Sequence, residues 1–196
     1  MAVTLNASTS SGFIQTADTS GELNLQSNGS TKLSVLSTGV SGTIVQGTAV
    51  ASTSGTSINF SSIPSWVKKI TVMFSGVSTS GTSPLQIQIG TGGAPTTSGY
   101  QNAYGNTSAT GTTATTAGFA MQIVSASAAT GGIATLTNLT GNTWSSMSIL
   151  SESATPRVAL QAGSVAIAGV LDYVRITTVN GTDTFDAGSI NILYEG

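Results

Sequence analysis

The chain has 196 residues, a formal net charge of −2, and only five Lys or Arg against seven Asp or Glu, so it suits one medium domain with an appendage and is almost devoid of charge. It contains no His and no Cys, which excludes imidazole general bases, thiolate nucleophiles, disulfide staples and nitrogen or sulfur metal sites. With a pI near 4.7 and scattered basic residues there is no cluster able to displace counterions from phosphate, and nucleic acid is excluded as a partner.

From the N-terminus, MAVTLNASTSSGFIQ lacks a basic region followed by an apolar stretch, so no secretory leader is expected. No apolar run approaches the roughly 20 residues of a membrane span, and no membrane insertion is expected. Helix signals are scarce throughout: Glu, Lys and Arg are too few for i,i+4 pairs, and Gly and β-branched residues interrupt nearly every window. The expected class is all-β. Residues 1–55 carry short apolar beats, Phe13-Ile14, Leu23 with Leu25, Leu33 with Val35 and Leu36, and Ile44-Val45, separated by TSG, SNGS and STG. Hairpins of this size are marginal in water unless they pack on something else, so these beats are expected to anchor the chain and to be buried between copies of it. Ala49–Gly55, rich in Ser and Gly, is the expected linker, with the boundary near residue 55.

Residues 56–196 alternate with period two. Ile70, Val72 and Phe74 share one face, as do Leu85, Ile87 and Ile89, then Phe119, Met121 and Ile123, then Val174 and Ile176, and a last strand is expected over Ser189–Tyr194. Turns are expected at Ser80-Gly81, Gly92-Gly93, Gly131-Gly132, Gly141-Asn142 and Asn180-Gly181, the last being the sharpest hairpin signal. The pattern predicts an antiparallel β-sandwich, jelly-roll-like, with a small barrel as the alternative. Gly90–Gly118 has little apolar alternation and is expected to be a loosely packed surface excursion.

Candidate sites are few. Tyr100 and Tyr104, flanked by Ser, Thr, Asn and Gln, suit adaptable contact with a glycan or protein receptor. Trp66 beside Lys68 and Lys69 offers a ring and two ammonium groups, although an aromatic after Pro64 also suits closure of a sandwich core. Asp183 and Asp186, with Asp172, could present oxygens to a hard cation, but no DxDxDG pattern accompanies them, and solvated turn carboxylates are the stronger expectation. Glu152 and Asp172 are the conceivable carboxylate pair for glycoside hydrolysis, and nothing in their spacing brings them together. No cofactor, metal or catalytic residue is expected.

The run Gly12–Gly21, GFIQTADTSG, followed by LNLQSNG, resembles the N-terminal module of tailed-bacteriophage fibre and virion-surface proteins. Ser62–Gly93 looks like a second module of phage tail and prophage proteins, and Asp172–Tyr194 is similar to that module's close. The resemblance covers about half the chain and implies a homotrimeric structural protein of the phage particle, not an enzyme, docked by its N-terminal part on other virion proteins with its C-terminal domain exposed. The chain lacks the repetitive shaft and self-cleaving chaperone domain of long tail fibres. A head fibre, a capsid decoration or cement protein, and a short tail fibre whose tip binds a host-surface glycan all fit.

If the beats are enclosed between chains, Leu25→Ala and Leu36→Ala should each cost roughly 2–5 kcal/mol of assembly stability. Sedimentation and melting of the two variants measure this. Unchanged trimers with unchanged melting would speak against interchain burial.

Overall fold

The computed structural model describes residues 23–27, 30–36, 39–41, 44–108, 111–123, 125–126, 128–154 and 156–196. Phe13 and Ile14 lie outside the described residues. The chain forms two compact units, 1–43 and 44–196.

In the first unit, β1 (Leu23–Ser27), β2 (Ser30–Leu36) and β3 (Gly39–Ser41) form one antiparallel sheet. Its register sets Leu23 opposite Val35, Leu25 opposite Leu33, and Leu36 opposite Gly39. The expected burial of these side chains falls outside the described features.

The second unit begins earlier than the expected boundary near 55. β4 (Ile44–Gln46) and β5 (Val50–Ala51) both pair with the last strand of the chain, and Ser52, expected in a linker, is fully buried with its hydroxyl on Ala187 O at 2.8 Å. The remaining strands are β6 (Ser57–Ser61), β7 (Lys69–Thr79), β8 (Leu85–Thr91), β9 (Ala94–Pro95), β10 (Gln101–Asn106), β11 (Thr113–Thr115), β12 (Phe119–Met121), β13 (Thr130–Thr140), β14 (Thr143–Glu152), β15 (Arg157–Ala166), β16 (Tyr173–Thr178) and β17 (Phe185–Glu195). No helix occurs among the described residues.

These strands make two antiparallel sheets. The nine-stranded sheet runs β11-β10-β15-β14-β13-β7-β17-β4, with β5 also on β17; the five-stranded sheet runs β12-β8-β16-β6, with β9 on β8. The expected alternation is realised in β7, where Ile70, Val72 and Phe74 face inward and are joined by Ile190 and Ile192 of β17. Across from them, Leu85, Ile87, Ile89, Val174, Ile176 and Phe119 come from the smaller sheet into the same core. One shared apolar layer between two sheets is the arrangement of a β-sandwich.

Four turn expectations meet three different outcomes. Gly92-Gly93 and Gly141-Asn142 close the β8–β9 and β13–β14 hairpins. Asn180-Gly181 does turn the chain, but β16 and β17 belong to different sheets, so it is a crossing and not a hairpin. Gly131-Gly132 lies inside β13, at a bulge between Thr130 and Gly132 where the register to β7 shifts. Gly132 adopts φ +140° there, and an added Cβ would collide with the Ile149 carbonyl of the neighbouring strand. A bulge needs a local departure from strand geometry, and a glycine pair supplies it as readily as it supplies a turn.

Gly132→Ala should therefore lower unfolding stability by about 1–3 kcal/mol through backbone strain, read as a lower denaturation midpoint. Gly141→Ala, whose Cβ would meet open space at φ +52°, is the milder companion.

Candidate interaction surfaces

The Gly90–Gly118 segment is not a loose excursion, because β10 pairs along its length with β15, and Tyr100, just before it, and Tyr104, within it, are both buried. Tyr100 is 1% exposed, and its ring meets Phe119 edge to face at 4.8 Å. β12 pairs with β8 only as far as Ile87, and β9 resumes the pairing at Gly90, so Ile89 sits in a gap of the ladder. The Tyr100 hydroxyl fills it, accepting from Ile89 N at 2.9 Å and lying 3.2 Å from Ile89 O and 3.1 Å from Thr96 O, either of which can take its proton. A ring so enclosed cannot stack on a receptor, which corrects the expectation for Tyr100. Tyr104 is also buried, and its hydroxyl is pushed up by that burial. Trp66 is the exposed one of the three, at 41%. Ile63 and Val67, both buried, close the core beside it, and Lys69 is held by Glu195 at 2.8 Å.

The carboxylates are engaged in local structure. Asp172 accepts from Gly92 N at 2.9 Å and Gly93 N at 3.1 Å, clamping that turn. Asp183 accepts from Ser83 N at 3.1 Å and Asn180 Nδ2 at 2.7 Å, and Asp186 takes the Ser78 hydroxyl. Glu152 is buried, accepts from Ser125 N at 2.9 Å and lies 3.4 Å from Arg157 Nε. Glu152 and Asp172 thus belong to separate networks. No cluster of three metal-ligating side chains occurs among the described residues.

Two outer surfaces remain. On the five-stranded sheet a polar hollow of about 430 Å³ is lined by Gln86, Gln88, Arg175, Thr177 and Asn180. Arg175 lies over the Tyr173 ring at 5.8 Å and donates to Asn59 Oδ1 at 3.2 Å. On the nine-stranded sheet an apolar hollow of about 620 Å³ is floored by Ala103, Gly105, Leu160 and Ala162 and bordered by Met147 and Ile149. Neither surface was singled out in the sequence. In β14 apolar residues occupy both faces, Trp144 and Leu150 inward, Met147 and Ile149 outward, so alternation alone does not reveal the outer set.

Burial pushes the Tyr100 hydroxyl far above its ordinary range, with the Ile89 hydrogen bond acting the other way. The stabilisation linked to the neutral hydroxyl is complete below the unfolded value of about pH 10 and is lost as pH rises through the higher folded value. Tyr100→Phe should cost about 1–3 kcal/mol by orphaning Ile89 N–H. Chemical denaturation at pH 7 and above pH 10 checks both, the alkaline loss being smaller in the variant.

No protein-family model matches the chain, and no curated protein or solved structure is significantly similar to it.

Proposed function

We propose that the chain is a non-enzymatic structural protein of a tailed-bacteriophage particle, a homotrimer on the virion surface whose N-terminal unit docks on other virion proteins and whose jelly-roll-like sandwich is displayed. The observation that carries this reading is the division of the chain into a small leading unit and a sandwich. A folded domain packs at least two layers around a core. Unit 1–43 offers a single sheet, of strands 5, 7 and 3 residues long, among its described residues. A second layer supplied by sister chains or by the particle would complete it. The quoted N-terminal and Ser62–Gly93 segments, which resemble phage fibre modules, fall one in each part. Engagement of the carboxylates in turns and in the Glu152–Arg157 pair supports a structural role over a hydrolytic one.

A second reading, a tail-tip receptor for a host glycan, is favoured by the polar hollow of the five-stranded sheet. Side-chain amides, Thr hydroxyls and the Arg175 guanidinium there match the donors and acceptors of a sugar. That site replaces Tyr100 as the receptor contact, while Trp66 remains accessible elsewhere.

Quantitative mass spectrometry of purified particles tests the proposal. The chain should be a stoichiometric component, with hundreds of copies for a head fibre, decoration or cement protein, or a dozen or so for a tail fibre. Absence from purified particles would overturn it.

A further inference from the structure

In the half of the large sheet formed by β14, β15 and β10, polar side chains share the inner face with Trp144, Leu150, Ala159 and Val165, and aliphatic ones occupy the outer face. Its inward side chains include Ser146, Ser148, Gln161 and Asn102, all buried. Gln161 links two of them, accepting from the Ser146 hydroxyl at 3.1 Å and donating to Asn102 Oδ1 at 2.8 Å. Its outward side chains include Met147 at 58% exposure, Ile149 at 49% and Leu160 at 50%, and Ile133 of β13 extends the row at 49%. Ile133, Ile149 and Leu160 are direct cross-strand neighbours, and Met73 of β7 lies opposite Ile133 on the other side. A row of aliphatic chains turned toward water, on strands that also turn amides and hydroxyls inward, is not what a solvent-facing surface favours. Contiguous exposed apolar patches of this kind mark interaction sites.

We infer that this face is covered by another copy of the same chain, the Ile133–Ile149–Met147 ridge of one copy seating in the Ala103–Gly105–Ala162 hollow of the next. Three observations select this occupant. The only charged residues on β10, β13, β14 and β15 are Glu152 and Arg157, which lie at one end and pair with each other, and Lys69 at the start of β7 is paired with Glu195, so identical faces meet with little like-charge repulsion. Ridge and hollow lie side by side on one surface, as a two-fold contact between identical copies requires, since residue i then meets residue j of its neighbour and j meets i. The extent also fits: at ordinary strand spacing and rise, β7, β13, β14, β15 and β10 span about 700 Å² in plan, inside the roughly 600–1,000 Å² per partner of a stable interface.

This contact lies on the sandwich and does not depend on where the particle carries the chain; of the proposed function it shares only the expectation of self-association. The full chain has no cysteine, so engineered thiols report without background. Ile133 and Ala162 stand on strands separated by β14, about 10 Å apart, beyond the ~7 Å reach of a disulfide. An Ile133→Cys/Ala162→Cys double variant can therefore close bonds only between chains. Mild oxidation should convert most of it to covalent multimers on a non-reducing denaturing gel, whereas Asn59→Cys, on the outer face of the other sheet, should stay single. Adding Ile149→Glu to the double variant should reduce cross-linking at least tenfold while leaving its melting intact. A folded double variant that stays uncrosslinked would overturn the inference, even if the chain sediments as a trimer through its leading unit. So would cross-linking indifferent to Ile149→Glu, or a monomeric chain whose face instead takes up an apolar dye. Loss of trimers in the leading-unit leucine variants with this cross-link retained would separate the two contacts.

Discussion

The architecture depends on the register of β7. That strand is flanked by β13 on one side and β17 on the other, and its Ile70, Val72 and Phe74 are all buried in the core. Because side chains alternate, a slip of one residue would turn that entire set to solvent and bring Thr71 and Met73 inward, a change opposed by most of the core at once. Every strand beyond β13 takes its facing from this pairing. The consequence reaches β14, where Ala134 and Leu136 of β13 turn inward beside Ser148 and Ser146, leaving Met147 and Ile149 outside. The hydroxyls within that region's lining and the apolar side chains on its exterior are two results of one register.

Scarcity of charge shapes the rest. With so few ionic groups, the chain uses its carboxylates where a single acceptor can organise several backbone donors. Asp172 draws together Gly92 and Gly93, and Asp183 ties Ser83 to the Asn180 turn, each joining segments distant in sequence. Charge-assisted bonds of this sort are stronger than neutral ones, which makes them effective fasteners for the crossings between sheets. The surface is left largely to hydroxyls, amides and aliphatic side chains.

What was legible beforehand follows from how each element is stabilised. β7, β8 and β16 bury one face against a continuous core, and their alternation in sequence is unbroken, so they could be read directly. Tyr100, just before β10, contributes through one hydroxyl in a gap of another strand's ladder, a relation no local window contains. Gly131-Gly132 read as a turn because glycines permit turns and bulges alike, and only the long pairing of β13 with β7 decides between them. Of the site residues, Trp66 fits both a surface patch and closure of the core on its sequence and lies partly exposed, whereas the composition around the two tyrosines suits an outward position and both lie inward. The polar surface joins β8 to β16, and the apolar one joins β10 to the consecutive strands β13, β14 and β15, so each is a relation across strands that no single segment displays.

The outermost strands of the large sheet, β11 and β4, are three residues each. Strand-to-strand addition at such borders would form only a few ladder bonds, too few to propagate a ribbon from domain to domain. The broad aliphatic face carries no comparable restriction. Association through that face, as inferred above, would close on itself around a symmetry axis and keep its assemblies finite.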